Sequence, residues 1–206
     1  GSMRTSLFIN KFKNNLDKNK KFDVCLIGKN LVKFFQSVQI YENKVIPEYL
    51  ILLENLKRYI KENNISLVVC CKNYGFKLEA EKSFYKDFFG SLNVTISSNG
   101  KNISDDNYFN SYKSILKSEV VIGLPSTILR EAFFFNKKIL CIDYSKELLH
   151  PFKDIALCNS KNFDDFSLNL NSLLEISNDN YFKKLKYSKN YVVGKIDTLE
   201  QINSLI

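Results

Sequence analysis

The chain has 206 residues and a mass of 24.0 kDa, enough for one large domain with a sizeable core. Apolar residues make up 45% and charged residues 25%, with only 7 Gly and 3 Pro, which excludes a disordered, collagen-like or linker-rich chain. The formal charge of +8 favours anionic partners, but no zinc spacing or aromatic RNA-binding signature accompanies it, so no specific nucleic acid is expected.

Gly1-Ser2 ahead of Met3 reads as an expression scar, and a Lys-rich stretch follows from Lys11 to Lys21. Residues 1–21 are therefore read as scar and N-terminal basic segment, and residues 22–206 as the domain. There is no signal-peptide layout and no run of about 18 apolar residues, so a cytoplasmic protein is expected.

From residue 22 onward, apolar runs alternate with helical patterns. Residues 22–29 (FDVCLIGK) read as a buried strand. Residues 47–63 read as a helix, with Tyr49, Leu52, Leu53, Leu56, Tyr59 and Ile60 at 3–4 spacing. A strand is expected over 65–71 and a helix over 76–89, stopped by Gly90. The next strand, 92–97, closes at Asn99-Gly100. A helix over 105–117 starts with Asp residues that serve as a cap or a metal pair. Then come a strand over 119–123, a helix over 127–136, a strand over 138–143 and a weaker one over 154–158. Helices are expected over 163–176, 180–191 and 198–206. The strands are short, rich in Val, Ile, Leu and Cys, and lack polar alternation, as strands covered on both faces do. This alternation predicts an α/β fold: a single Rossmann-like, doubly wound, mainly parallel sheet with helices on both faces.

Cys25, Cys70, Cys71, Cys141 and Cys158 each sit in an apolar run and read as small buried hydrophobes of a reduced protein. With one His and no C-x-x-C spacing, no metal site is expected.

In an open parallel sheet the ligand lies beyond the carboxyl ends of the strands. The first loop there, Gly28-Lys29-Asn30, lacks both G-x-G-x-x-G and G-x-x-x-x-G-K-[ST], which disfavours an ordinary dinucleotide-binding enzyme or P-loop NTPase. The fourth loop is more informative. A strand ends at Gly123, Pro125 stiffens the turn, and Ser126-Thr127 opens a helix whose free N–H groups favour an anion. Glu131 follows Thr127 by four residues, one turn deeper on the same face. A phosphate at the terminus would bring an attached ribose to that carboxylate. The same residues also suit an ordinary capped helix.

Residues 119–144 (EVVIGLPSTILREAFFFNKKILCIDY) resemble the donor-binding, C-terminal lobe of GT-B glycosyltransferases of bacterial surface polysaccharides. The similarity is to CDP-glycerol transferases, capsule Kdo-transferases and sialyltransferase-like enzymes. It rests on a helix at Tyr112 to Lys117, the strand ending near Gly, Ser126-Thr127, Glu131-Ala132, the apolar Phe133 to Phe135, Lys137-Lys138 and the next strand, with weaker likeness over 45–206. It implies that Gly123, Ser126 and Thr127 meet the donor phosphate and that Glu131 meets the ribose. The donor expected is a CMP-, CDP- or UDP-linked sugar, used as substrate without a further cofactor, and the acceptor a glycan or lipid-linked glycan. Such enzymes often carry Lys-x-His-Pro after the second strand. Here Cys71-Lys72-Asn73-Tyr74 stands instead, so Lys72 would supply the phosphate-facing charge, with Asn73 at the rim.

Further rim candidates are Gly28, Lys29 and Asp143, and His150, which either lines the crevice or is structural. Arg130 pairs with phosphate or is solvated. Phe133-Phe134-Phe135 read as core or lobe interface. Tyr181, Phe182 and Tyr187 among lysines read either as aromatics packed inward or as a peripheral contact with the inner membrane face. GT-B enzymes have two lobes and 206 residues hold one, so an acceptor lobe or partner chain is expected, and no catalytic base can be named. The alternatives are a nucleotide-sugar epimerase-like enzyme and a non-catalytic nucleotide-binding or scaffold domain.

Overall fold

The computed structural model describes residues 7–8, 11, 19–29, 40–72, 76–102, 107–144 and 157–184. Six strands form one sheet: β1 Phe22–Ile27, β2 Leu67–Cys70, β3 Val94–Ser97, β4 Ser118–Gly123, β5 Lys138–Ile142 and β6 Leu157–Cys158. Their order is β3-β2-β1-β4-β5-β6, and every neighbouring pair is parallel. The chain thus steps outward from β1 to β3, then crosses back to lay β4 on the other side of β1. In register, Val24 faces Leu67 on one side and Val120 on the other. The predicted doubly wound α/β fold is the fold observed.

The central strands are buried along nearly their whole length, as their continuous apolar sequences require. Edge strand β3 is only half-buried, which matches the polar residues in its run. All five cysteines are free and buried, and the Cys25 and Cys70 sulfurs lie 3.5 Å apart between neighbouring strands.

Among the described residues the helices flanking the sheet are α1 Ile40–Asn63, α2 Phe76–Phe89, α3 Asn110–Leu116, α4 Thr127–Phe134, α5 Phe163–Glu175 and α6 Asn178–Lys184. The six apolar residues spaced along α1 are all buried in the main core, as their period requires. The helix starts seven residues earlier than expected and carries Pro47 inside it. Proline removes one i→i−4 bond there without ending the helix. Gly90 stops α2 at φ 60° as expected, and Asn136 plays that part after α4 at φ 59°. Asn136 N–H donates to Phe133 O and Lys137 N–H to Ala132 O, the paired bonds of a Schellman ending, so α4 is shorter than 127–136. The predicted α3 cap at Asp105-Asp106 and the helix over 198–206 lie outside the described residues. Asn107 to Phe109 form a turn ahead of α3, with no side-chain cap.

Tyr181 and Phe182 pack inward. Tyr181 is buried and its hydroxyl accepts from Ile139 N–H at 3.4 Å, and Phe182 lies 5.4 Å from Phe133. Phe8, ahead of the expected domain start at residue 22, is also buried, in a second small core with Phe109, Tyr112 and Leu116. Among the described residues no helix is long and apolar enough to cross a membrane.

Candidate functional site

The turn from β4 into α4 is built by its own sequence. Ser126 caps the helix, and its Oγ accepts the Leu129 N–H at 3.4 Å. The Thr127 and Ile128 N–H groups have no partner among the described residues and point out of the helix start. One turn deeper, Glu131 is 7% exposed. Its Oε2 accepts the Tyr112 hydroxyl at 2.8 Å, and its Oε1 has no partner among the described residues. A buried carboxylate oxygen without a donor is unfavourable unless a ligand or water supplies one.

Glu131 opens into a cavity of about 600 Å³ at the carboxyl edge of the sheet. Its walls come from the ends of β1 (Ile27, Gly28, Lys29), β2 (Cys70, Cys71, Lys72) and β4 (Leu124 to Ile128). Tyr49 of α1, Asn99, and Ser111 and Tyr112 of α3 complete it. The β1–β4 boundary is where the strand order reverses, the place where open α/β sheets bind their ligands.

Gly28 is required where it stands. Its N–H donates to Cys70 O at 2.9 Å, and a Cβ on it would lie 2.5 Å from that oxygen and 3.0 Å from Glu81 Oε1. Glu81 of α2 is buried, and both its oxygens accept the Lys72 N–H, at 3.0 and 3.2 Å. Tyr49 and Tyr85 share a hydroxyl–hydroxyl bond of 2.8 Å, and Lys29 N–H donates to Tyr85. Burial raises both phenols above their ordinary range, so they remain neutral hydrogen-bonding groups at neutral pH. Burial, then the Glu81 charge, likewise pushes the Cys71 thiol up, so it is no nucleophile. This buried polar cluster braces the loops that carry Lys29 and Lys72. On the far wall Asn99 and Ser111 hold each other, Nδ2 to Oγ at 2.7 Å and Ser111 N–H to Oδ1 at 2.8 Å.

Of the residues singled out by sequence, Ser126, Thr127, Glu131, Lys72, Gly28 and Lys29 come together around this cavity. Gly123 does not line it. Gly123 is buried within β4, where a Cβ would meet Ile27 Cβ at 3.1 Å, so its small size serves packing. Asp143 does not line it either: it is buried just after β5, and its N–H donates to Cys158 O. Asn73 and His150 lie outside the described residues. Arg130 is half-buried on α4 and does not line the cavity. Lys137 and Lys138 of the motif face the opposite edge of the sheet. Lys138, fully buried, pairs with Glu119 at 2.6 Å and donates to Ile176 O, while Lys137 donates to Ser118 O. Sequence reasoning missed Tyr49, Glu81, Asn99, Ser111 and Tyr112 as parts of the site. Tyr49 and Glu81 sit in helices whose pattern accounts for them as ordinary members, and only tertiary packing gathers the set.

A more open cavity of about 630 Å³ lies beyond β5 and β6, lined by Tyr144, Cys158 and Asp165 among others. It stands away from the reversal of strand order, and the Tyr144 hydroxyl beside it already accepts from Asn55 at 3.3 Å.

Fold and cavity together define a Rossmann-like α/β domain with two unpaired helix-start N–H groups and a buried acid at its switch point. The chain belongs to the family described as "putative O-antigen biosynthesis protein", whose model matches residues 3–157. Among solved structures it is similar to UDP-GlcNAc 2-epimerase from Neisseria meningitidis bound to UDP-GlcNAc, with a TM-score of 0.58 and 14% identity. That match covers 98% of this chain and 51% of the epimerase chain, so this chain spans about half the length of that enzyme. The search among curated proteins gave no match.

Proposed function

We propose that this domain binds the nucleotide-sugar donor of a glycosyltransferase that builds bacterial surface glycan. The observation that carries the reading is Glu131, a buried carboxylate with an unpartnered oxygen one turn below two unpaired N–H groups. An anion on the α4 start and a diol on the acid is the pattern of a nucleotide. The helix dipole and the Thr127 and Ile128 N–H groups stabilise the phosphate, both in the bound donor and as it departs from the anomeric carbon. Ser126 Oγ is occupied as a cap acceptor, but its O–H remains a donor. Lys72, exposed at the mouth, adds positive charge. Family membership supports the surface-glycan setting. The CMP-, CDP- or UDP-linked donor, the glycan or lipid-linked acceptor, the cytoplasmic location and a second lobe or partner chain belong to the same proposal.

A nucleotide-sugar epimerase is the second reading, favoured by the fold likeness to UDP-GlcNAc 2-epimerase. Thermal shift with CMP, CDP, UDP and UDP-GlcNAc tests the shared core of both readings, because a ligand specific for the native state raises its melting temperature. We expect at least one to stabilise the wild type and to stabilise Thr127→Ala less. If none acts, neither reading stands. Transfer to an acceptor against inversion of a free nucleotide sugar, assayed with the second lobe present, separates the two.

A further inference from the structure

Tyr112 joins the floor of the cavity to an aromatic cluster outside it. Phe8 stacks on its ring at 5.0 Å and 21°, and Phe135 meets it edge-on at 5.8 Å and 77°. Phe109 closes the cluster, 6.1 Å from Tyr112 and 5.4 Å from Phe8. Phe8 is 0% exposed, although it precedes the sheet by more than ten residues. The ring of Tyr112 is therefore fixed on several sides, and its hydroxyl is aimed at Glu131 Oε2 at 2.8 Å. Rings so packed lose their alternative rotamers, and a hydrogen bond to a carboxylate is among the stronger ones. Glu131 is thereby held with one oxygen pinned, on the wall of the cavity it lines.

We propose that Tyr112 is a positioning residue that sets the ribose selectivity of this site, and that Phe8 fixes Tyr112. The inference rests on the reading of Glu131 as the acceptor of ribose hydroxyls. Without the Tyr112 hydroxyl, Glu131 samples other rotamers and its Oε1 is presented only part of the time. A ribonucleotide then loses affinity, whereas a 2′-deoxynucleotide, which gains less from Glu131, loses little.

The test is titration calorimetry on the full chain with CMP, CDP and UDP and their 2′-deoxy counterparts. Tyr112→Phe keeps the ring and removes only the hydroxyl; because buried Glu131 then loses its donor, the melting temperature should fall somewhat, and affinities are compared at a temperature where the variant is fully folded. We expect its ribonucleotide affinity to fall about 3- to 10-fold, the size of one ordinary hydrogen bond, since the lost bond acts on the ligand only through Glu131. Its 2′-deoxynucleotide affinity should fall much less, so the selectivity ratio falls towards that of Glu131→Gln. Phe8→Ala should lower the ratio in the same direction, and Phe8→Leu, which refills the space, should restore most of it. A Tyr112→Phe variant with wild-type selectivity overturns the proposal, as does a Phe8→Ala variant that weakens both nucleotide classes equally. A wild type that does not prefer ribonucleotides removes the reading of Glu131 itself, and this inference falls with it.

Discussion

That Glu131, Ser126 and Thr127 line one cavity was legible because their relation is local: a helix fixes how residues four apart project. Tyr112 and Asn99 were not, since nothing near them in sequence says that they face the same space. Gly28 stood between the two cases. Its position after the first strand was plain, but its reason, Cys70 O and Glu81 beside it, is tertiary. Gly28→Ala must displace backbone, so we expect it to cost about 1–3 kcal/mol, read as a lowered denaturant midpoint. Asp23 gives a pH test. Burial alone would raise its carboxyl, but the Ser66 N–H and Oγ, at 2.8 and 2.7 Å, together with Lys20, hold it below its ordinary value. A lowered native pKa gives stability that is present above the unfolded value and is lost as pH falls through the native one. Stability should therefore drop below about pH 4, and Asp23→Asn should flatten that acid limb in urea melts recorded from pH 6 to pH 2.5.

At the element scale the sequence placed the strands and helices in the right order, with boundaries that moved where local chemistry competed. Pro47 read as a helix start and proved to be interior. Asn136 read as the last helical residue and proved to be the left-handed stop, a position Asn tolerates better than other side chains. Asn136→Ala should accordingly destabilise by about 1 kcal/mol, whereas Asn136→Gly should be neutral or better, both measured by thermal melts. Lys138 is an element-scale surprise: a lysine inside a strand pattern, buried because Glu119 and the Ile176 carbonyl receive its ammonium. Lys138→Ala removes both bonds and leaves a cavity under the sheet edge, so it should cost about 2–5 kcal/mol, read as a lowered denaturant midpoint. Lys138→Met combined with Glu119→Gln should recover most of it.

For the molecule as a whole, continuous apolar strands alternating with amphipathic helices announced a parallel sheet, and the six-stranded sheet follows that plan. What sequence patterning did not fix is which strands are neighbours. The pairing of β1 with β4, which creates the crevice, is a long-range contact with no local signal. The chain spans about half of the epimerase it resembles in fold. On the proposed reading this chain alone binds a nucleotide but transfers no sugar, and a turnover assay that found metal-independent transfer by it would show that one lobe holds the whole site. The central claim is that phosphate sits on the α4 start with ribose on Glu131. Titration of the wild type and Glu131→Gln with the best-binding ribonucleotide and its 2′-deoxy analogue tests it most directly. The account predicts that the variant loses about one to two decades of ribonucleotide affinity and much less for the deoxy form. Equal affinities in wild type and variant for both ligands would contradict it and leave α4 as a capped helix beside an unrelated cavity.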